Sequence, residues 1–274
     1  MHTVDAKEIE NFAKDSAQWW DEDGPFRPLH RLNPVRLTYI KDQICARYDR
    51  DTKSLKPFKG LSILDIGCGG GLVCEPMARL GATITGIDAD ANAIAVAKDH
   101  AAQGGLDVIY KCASTDSLLS SSAGQRLSSP PRAGIRMPAQ GGHDKEGMFD
   151  VVLALEIVEH VADVDGFVDD CVNLCKPDGL IIFSTLNRTP RSFLLGKIAA
   201  EYILGWVPQG THDWKKFLKP SELAKSIRAA GGELNNLTGM VFDPIKGGFK
   251  LSDHDVSVNY FAAVSRGNTP RRAS

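Results

Sequence analysis

The 274-residue sequence has no apolar run long enough to cross a bilayer, and its first turn is polar and acidic, so neither a transmembrane helix nor a secretory leader is expected. It carries little net charge, -2 at neutral pH, and therefore no global basic field of the kind that gathers nucleic acid. Its six cysteines, Cys45, Cys68, Cys74, Cys112, Cys171 and Cys175, never fall in C-x-x-C pairs. That spacing argues against a disulfide framework and a zinc knuckle, and for reduced thiols in a cytosol-like compartment. What the sequence does have is 43% hydrophobic residues, ample for a buried core, in a length that α/β folds commonly reach as one domain.

The chemistry concentrates between Leu61 and Asp88. Leu61, Ile63, Leu64 and Ile66 make a short apolar strand around Asp65, followed by Gly67-Cys68-Gly69-Gly70-Gly71, a helix over Leu72 to Leu80, and Gly81 as a left-handed stop. A second apolar run, Ala82 to Ile87, ends in Asp88. This is the order of a βαβ nucleotide site, with the acid placed about twenty residues after the first glycine to hold ribose hydroxyls. A phosphate-binding loop presents backbone N–H groups to an anion, whereas Asp65 at this strand tip would repel a pyrophosphate. A phosphate-free, cationic nucleoside fits better, so the pattern favours S-adenosylmethionine (SAM), with Asp65, Gly67, Gly69 and Asp88 as contacts.

Upstream, Ile9, Phe12, Ala13, Ala17 and Trp20 recur at helical spacing and predict an amphipathic helix over about 5–20. An extended loop through Pro25, Pro28 and His30 is expected to lead into a second helix starting at Asn33-Pro34. Residues 1–50 are read as a helical lid that could cover the cofactor, with Trp19, Trp20 and Arg36 as the side chains to watch and ordinary helix packing as the alternative for both tryptophans. Residues 51–266 are read as the catalytic domain and 267–274 as a frayed tail. From Ser117 to Gly147 large apolar residues almost vanish, which predicts a disordered surface insertion.

The apolar run Phe149 to Leu155 has the character of a strand buried on both faces of a parallel sheet. Glu156, Glu159 and His160 follow it, at the carboxyl end where open α/β sheets bind ligands. If the turn is helical they share one face and could take a divalent cation; they could equally cap a helix and order a loop. Val164 to Cys175 predicts a helix, Leu180 to Ser184 a strand ending in Thr185-Leu186-Asn187, and Pro220 to Ala230 a last helix. Leu234 to Phe242 and Val256 to Ser265 predict a closing antiparallel hairpin. Between the Leu180 to Ser184 strand and the last helix, Thr189 to Val207 is rich in large apolar residues (Phe193, Leu194, Leu195, Ile198, Tyr202, Ile203, Leu204, Trp206, Val207), with Arg188 just before it and Arg191 and Lys197 within it, so contact with an anionic membrane surface is weighed against packing on the core.

Across these stretches the chain resembles the ubiquinone-biosynthesis O-methyltransferases, within the class I SAM-dependent methyltransferases. The resemblance lies in Trp19-Trp20-Asp21, Phe26-Arg27-Pro28-Leu29-His30, Asn33-Pro34-Val35-Arg36-Leu37, Leu64 to Gly71, Glu156 to Val161, Ser184 to Arg188 and Gly210 to Trp214. It covers nearly the whole chain except the insertion. It implies a Rossmann-like α/β fold: a mostly parallel seven-stranded sheet with an antiparallel last strand and helices on both faces. It implies methyl transfer from SAM to polyprenylated catechols and demethylubiquinol at the cytoplasmic face of a bacterial inner membrane, or at the matrix side if mitochondrial, with other ubiquinone-biosynthesis proteins as partners and no nucleic acid. Carried over residue by residue, Arg36, Gly67, Asp88 and Leu155 match cofactor contacts, and Glu156, Glu159 and His160 match a magnesium site. Glu156, His160 and His212 are the candidate acid–base groups, His212 from the Gly-Thr-His-Asp segment. A methyltransferase for another phenolic substrate and a non-catalytic cofactor-binding protein are the alternatives.

Overall fold

The computed structural model describes residues 16–120, 148–193, 214–243 and 247–267. Its strands are β1 (Ser62–Ile66), β2 (Thr83–Asp88), β3 (Ile109–Cys112), β4 (Phe149–Leu155), β5 (Cys175–Leu186), β6 (Gly232–Asp243), β7 (Gly248–Ser252) and β8 (Asn259–Arg266). The principal helices are α1 (Arg27–Arg47), α2 (Cys74–Arg79), α3 (Ala91–Gln103), α4 (Val164–Leu174) and α5 (Pro220–Ala229). All eight strands join one sheet in the order β3-β2-β1-β4-β5-β8-β6-β7. Neighbours from β3 to β5 run parallel, and β8 runs antiparallel to both β5 and β6.

The parallel strands read as continuous apolar runs because both faces are covered. Ile63, Val151, Leu153 and Ile182 face Ile40 and Ile44 of α1 and Met77 of α2. Their sequence neighbours Leu64, Val152, Ala154, Ile181 and Phe183 face Phe167 and Cys171 of α4 and Leu223 and Ile227 of α5. Successive strand side chains point to opposite faces, so one run feeds two cores. The final hairpin forms as β6 and β8, but β7 adds an eighth strand outside β6. Its five residues offer only one short alternation, Phe249 and Leu251 about Lys250; pairing with Gly239–Asp243 satisfies their backbone groups.

Helix α1 does not start at Asn33-Pro34 but earlier, at Arg27, with a proline in its first turn and Pro34 inside it. A first-turn proline removes only a donor that has no partner in the helix, so Pro28 opens α1 at no cost in hydrogen bonds. Asn33, expected as the cap, instead donates to the Leu72 carbonyl (3.0 Å) and accepts from Arg36 Nε (3.3 Å). The helix is built into the sheet layer. Tyr39 stacks on Phe261 of β8 at 4.5 Å and donates to Asn236 Oδ1 at 2.7 Å, while Tyr48 donates to the Asp150 carbonyl at 2.7 Å.

Of the amphipathic helix expected over about 5–20, residues 1–15 lie outside the described residues, and Ser16–Gln18 form a single 3-10 turn. The polar insertion begins later than Ser117. Residues 115–120 are helical, and Leu118 is buried in the core shared with α4, so that turn belongs to the fold. Residues 121–147 lie outside the described residues, as do 268–274. All six cysteines are free, and no helix among the described residues is long and apolar enough to cross a membrane. Tyr39→Phe, which keeps the stack on Phe261 but removes the donor to Asn236, should lower the unfolding free energy by about 1 kcal/mol. Urea denaturation checks this; an unchanged midpoint would show that the bond adds nothing to docking α1.

Candidate active site

From β1 the chain runs outward through β2 to β3, then returns to the other side of β1 as β4. This reversal is the topological switch point of an open parallel sheet, where the loops after neighbouring strands diverge and leave a crevice. The glycine loop leaves β1 on one side of the crevice, and Glu156 leaves β4 on the other.

Three charged groups converge on the α1 face of this crevice. Asp65 is 3% exposed and accepts from Cys74 Sγ at 3.2 Å. Burial pushes its carboxyl up to about 7, against the opposing pull of the Cys74 hydrogen bond and Arg36. Arg36, 4% exposed, is lowered by its own burial and supported by the charges of Glu156 and Asp65. Glu156 is raised by burial, with Ser184, Arg36 and Asn259 pulling the other way. Its Oε1 accepts from Ser184 Oγ at 2.8 Å and lies 3.5 Å from Asn259 Nδ2. A cationic centre between two carboxylates suits a zwitterionic amino acid, ammonium towards Asp65 and carboxylate towards Arg36.

The loop itself is held from β2. Gly67 and Cys68 donate to the Ile87 carbonyl at 2.8 and 3.1 Å, and the Gly69 N–H donates to Asp88 Oδ2 at 2.9 Å. Asp88 Oδ1 accepts the Asp90 N–H at 2.8 Å, so each oxygen has one backbone donor and a further lone pair for a ribose hydroxyl. Burial raises the Asp88 carboxyl. Asp90 caps α3, accepting from the Asn92 N–H at 2.9 Å. Leu155, 7% exposed at the end of β4, adds apolar surface to the crevice. Trp20 Nε1 donates to the Gly70 carbonyl at 2.9 Å, and its ring stacks on His100 at 3.5 Å. Trp19 stacks on Phe26 at 3.8 Å and lies against Gly69 and Gly70.

The expected magnesium site is not formed. Glu156, Glu159 and His160 do not come together as a group able to hold a metal ion. The turn after β4 is not helical from Glu156: that residue has φ +53°, and only Val158–His160 make a 3-10 turn. Glu156 therefore bonds Ser184, on the α1 face, whereas Glu159 accepts from the next strand residue, Thr185, at 2.8 Å. Adjacent residues of β5 point to opposite faces, so the two carboxylates diverge. Glu159 lines a separate 410 Å³ cleft with Val161, Asp163, Arg188, Phe217 and Glu222. His160 lies half-buried in the 3-10 turn.

His212 lies outside the described residues, as does most of Thr189 to Val207. Two of the basic residues assigned to lipid headgroups are in ion pairs, Arg188 with Glu222 and Arg191 with Asp255. Asn259 had no signal in the sequence beyond being a polar residue at the start of an apolar strand. It is nonetheless buried beside Glu156, and its Oδ1 has no hydrogen-bond partner.

Residues 38–236 match the methyltransferase domain family model. The fold is shared with solved methyltransferases. A magnesium protoporphyrin IX methyltransferase from Synechocystis with bound SAH superposes with a TM-score of 0.58 at 15% identity, covering 95% of this chain and 97% of that one. A SAM-dependent methyltransferase from Thermotoga maritima, described as a possible histamine N-methyltransferase, gives 0.57 at 14% identity, covering 95% and 99%. Among curated proteins, the ubiquinone biosynthesis O-methyltransferase of Dinoroseobacter shibae is 48% identical over 264 residues, 96% of this chain and 97% of that protein. That of Bartonella bacilliformis is 47% identical, covering 96% of each. The chain belongs to the ubiquinone biosynthesis O-methyltransferase family.

A member of this family that places a cationic cofactor against Asp65 must ionise that carboxyl to bind it. The folded, ligand-free protein has Asp65 near 7, above its unfolded value, so Asp65 contributes stability at acid pH that is lost as pH rises through 7. For the cofactor the sign is opposite. Affinity for SAM should rise with pH to a plateau above about 7 and fall by up to about tenfold per unit below it. Calorimetric titration from pH 5.5 to 8.5 measures this, and Asp65→Asn should bind weakly with a flat profile.

Proposed function

We propose that this protein carries out SAM-dependent O-methylation in ubiquinone biosynthesis, acting on polyprenylated catechols and on demethylubiquinol. The observation that carries the catalytic reading is the Glu156 carboxylate, half-buried at the carboxyl end of β4 on the same face as Arg36 and Asp65, with both of its named donors on one oxygen. SAM supplies an electrophilic methyl on a sulfonium when bound. Asp65 and Arg36 would hold its amino-acid end and Asp88 its ribose, with the backbone around Gly67 and Gly69 and the side chain of Leu155 lining its place.

A catechol hydroxyl is a weak nucleophile at neutral pH. Glu156, raised by burial towards the working pH, is a better proton acceptor than an exposed carboxylate and takes the hydroxyl proton through Oε2. Bound SAM would supply the methyl group to that oxygen, with S-adenosylhomocysteine as the other product. Fixing the two reactants in line contributes a large share of the rate, with oriented reactions gaining on the order of 7 kcal/mol or more. His160 and His212 are the further proposed proton carriers.

The polyprenyl tail calls for a membrane surface, the cytoplasmic face of the inner membrane in a bacterium, and Thr189 to Val207 is the proposed contact. Within its described part Phe193 is 40% exposed and sits edge-on to Trp214 at 5.8 Å. Other proteins of the same pathway are proposed as partners there.

Transfer of labelled methyl from SAM to catechols with and without prenyl tails tests the substrate. The prenylated ring should be the better acceptor, and equal turnover of simple phenols would overturn the assignment. Glu156→Gln should lower kcat by roughly 100-fold or more while S-adenosylhomocysteine still binds. Wild-type turnover in that variant would remove Glu156 as the base.

A further inference from the structure

We infer that Trp19 is a cofactor-binding residue: its indole N–H is the donor for the carboxylate at the amino-acid end of SAM. The inference rests on the cofactor assignment above and extends it to the segment before α1. Trp19 is held from several sides. Its ring stacks face to face on Phe26, with an interplanar angle of 9°, and its carbonyl is 2.9 Å from His30 Nε2. The neighbouring Trp20 is tied to the Gly70 carbonyl. The ring therefore lies at one place on the loop, and the glycines record where. A Cβ built on Gly70 would stand 2.4 Å from Trp19 Cβ, and one on Gly69 would stand 2.4 Å from Cη2 and 2.5 Å from Cζ2. Two glycines of the nucleotide loop are thus required by the indole, and Gly69 also has φ +52°.

The edge of the indole against Gly69 is its benzo edge, Cη2, Cζ2 and Cζ3, and Cζ2 is two bonds from Nε1. That nitrogen is buried and has no hydrogen-bond partner. A buried, unpaired donor costs stability, on the scale of a lost hydrogen bond, and is rare without a reason. Here the reason is a ligand acceptor. Nε1 donates and cannot accept. The ribose hydroxyls already have Asp88, and an ammonium offers no acceptor. Of the acceptors left, the adenine nitrogens, the ribose oxygens and the carboxylate, only the carboxylate is charged, and a charged acceptor makes the stronger bond. Arg36, joined through Asn33 to the Leu72 carbonyl at the end of the same loop, is then its second partner.

The test uses Trp19→Phe in the full chain, which keeps a ring to stack on Phe26 and removes only the donor edge. Calorimetry is run with S-adenosylhomocysteine and with 5′-methylthioadenosine, which has the ribose and adenine but no amino-acid end. The expected result is an about tenfold rise in Kd for S-adenosylhomocysteine, no change for methylthioadenosine, and an apo melting temperature no lower than wild type. Unchanged affinity for S-adenosylhomocysteine, or an equal loss for both ligands, overturns the inference. Should the variant fold poorly, the wild-type protein still decides. One of its four indole N–H resonances should move on adding S-adenosylhomocysteine and stay on adding methylthioadenosine; movement of none, or the same movement with both, overturns it. If wild type binds neither ligand, the cofactor assignment fails first, whereas wild-type binding with an indifferent Trp19 removes only this inference.

Discussion

A buried guanidinium within the electrostatic reach of two carboxylates, one in β1 and one just past β4, is the constraint around which the rest of this molecule is arranged. Arg36 comes from α1, Asp65 from β1 and Glu156 from the end of β4; the first two are buried and the third half-buried. Burying an ion costs several kcal/mol, and leaving one of a set without its counter-charge costs more than the set itself. The helix must therefore sit where it brings Arg36 to the crevice. Tyr39 on Phe261 and Asn236, and Tyr48 on Asp150, hold it there. The same charges that make the apo crevice costly make it receptive to a ligand carrying both signs.

The second constraint is one backbone angle. Glu156 adopts φ +53°, a region that costs a residue with a side chain roughly 1 kcal/mol or more, and such strain persists only where the surroundings impose it. Here the Glu156 N–H bonds to the Ser184 carbonyl while its carboxylate bonds to the Ser184 hydroxyl. The turn sends Glu156 to the α1 face and Glu159 to the α4 face, separating two acids that a helical reading of the same sequence puts side by side.

The segment before α1 explains more of the glycine loop than the cofactor alone does. Gly69 and Gly70 face Trp19, and a Cβ on Gly71 would stand 2.3 Å from the Tyr110 hydroxyl, so much of the loop's glycine content reflects close packing with aromatic side chains. Ser16, buried against Asp90, and Trp20, stacked on His100, fasten the same segment to α3. The loop is a joint between the N-terminal segment and the sheet as well as a place for a nucleoside.

By itself the sequence determined the α/β alternation, the two-faced burial of β4, and the glycine loop with Asp65 and Asp88. Each depends on residues close along the chain, where periodicity and propensity act. The start of α1 was not legible, because prolines at 28 and 34 both permit a helix start and only docking on β8 chooses between them. Nor was β7, which exists because β6 offers an edge to pair with. The divergence of Glu156 from Glu159, the convergence of Glu156 with Arg36, and the burial of Asn259 and Trp19 Nε1 were decided by tertiary structure alone. They join residues that are distant in sequence, and no local pattern records which face of a neighbouring strand a side chain will meet.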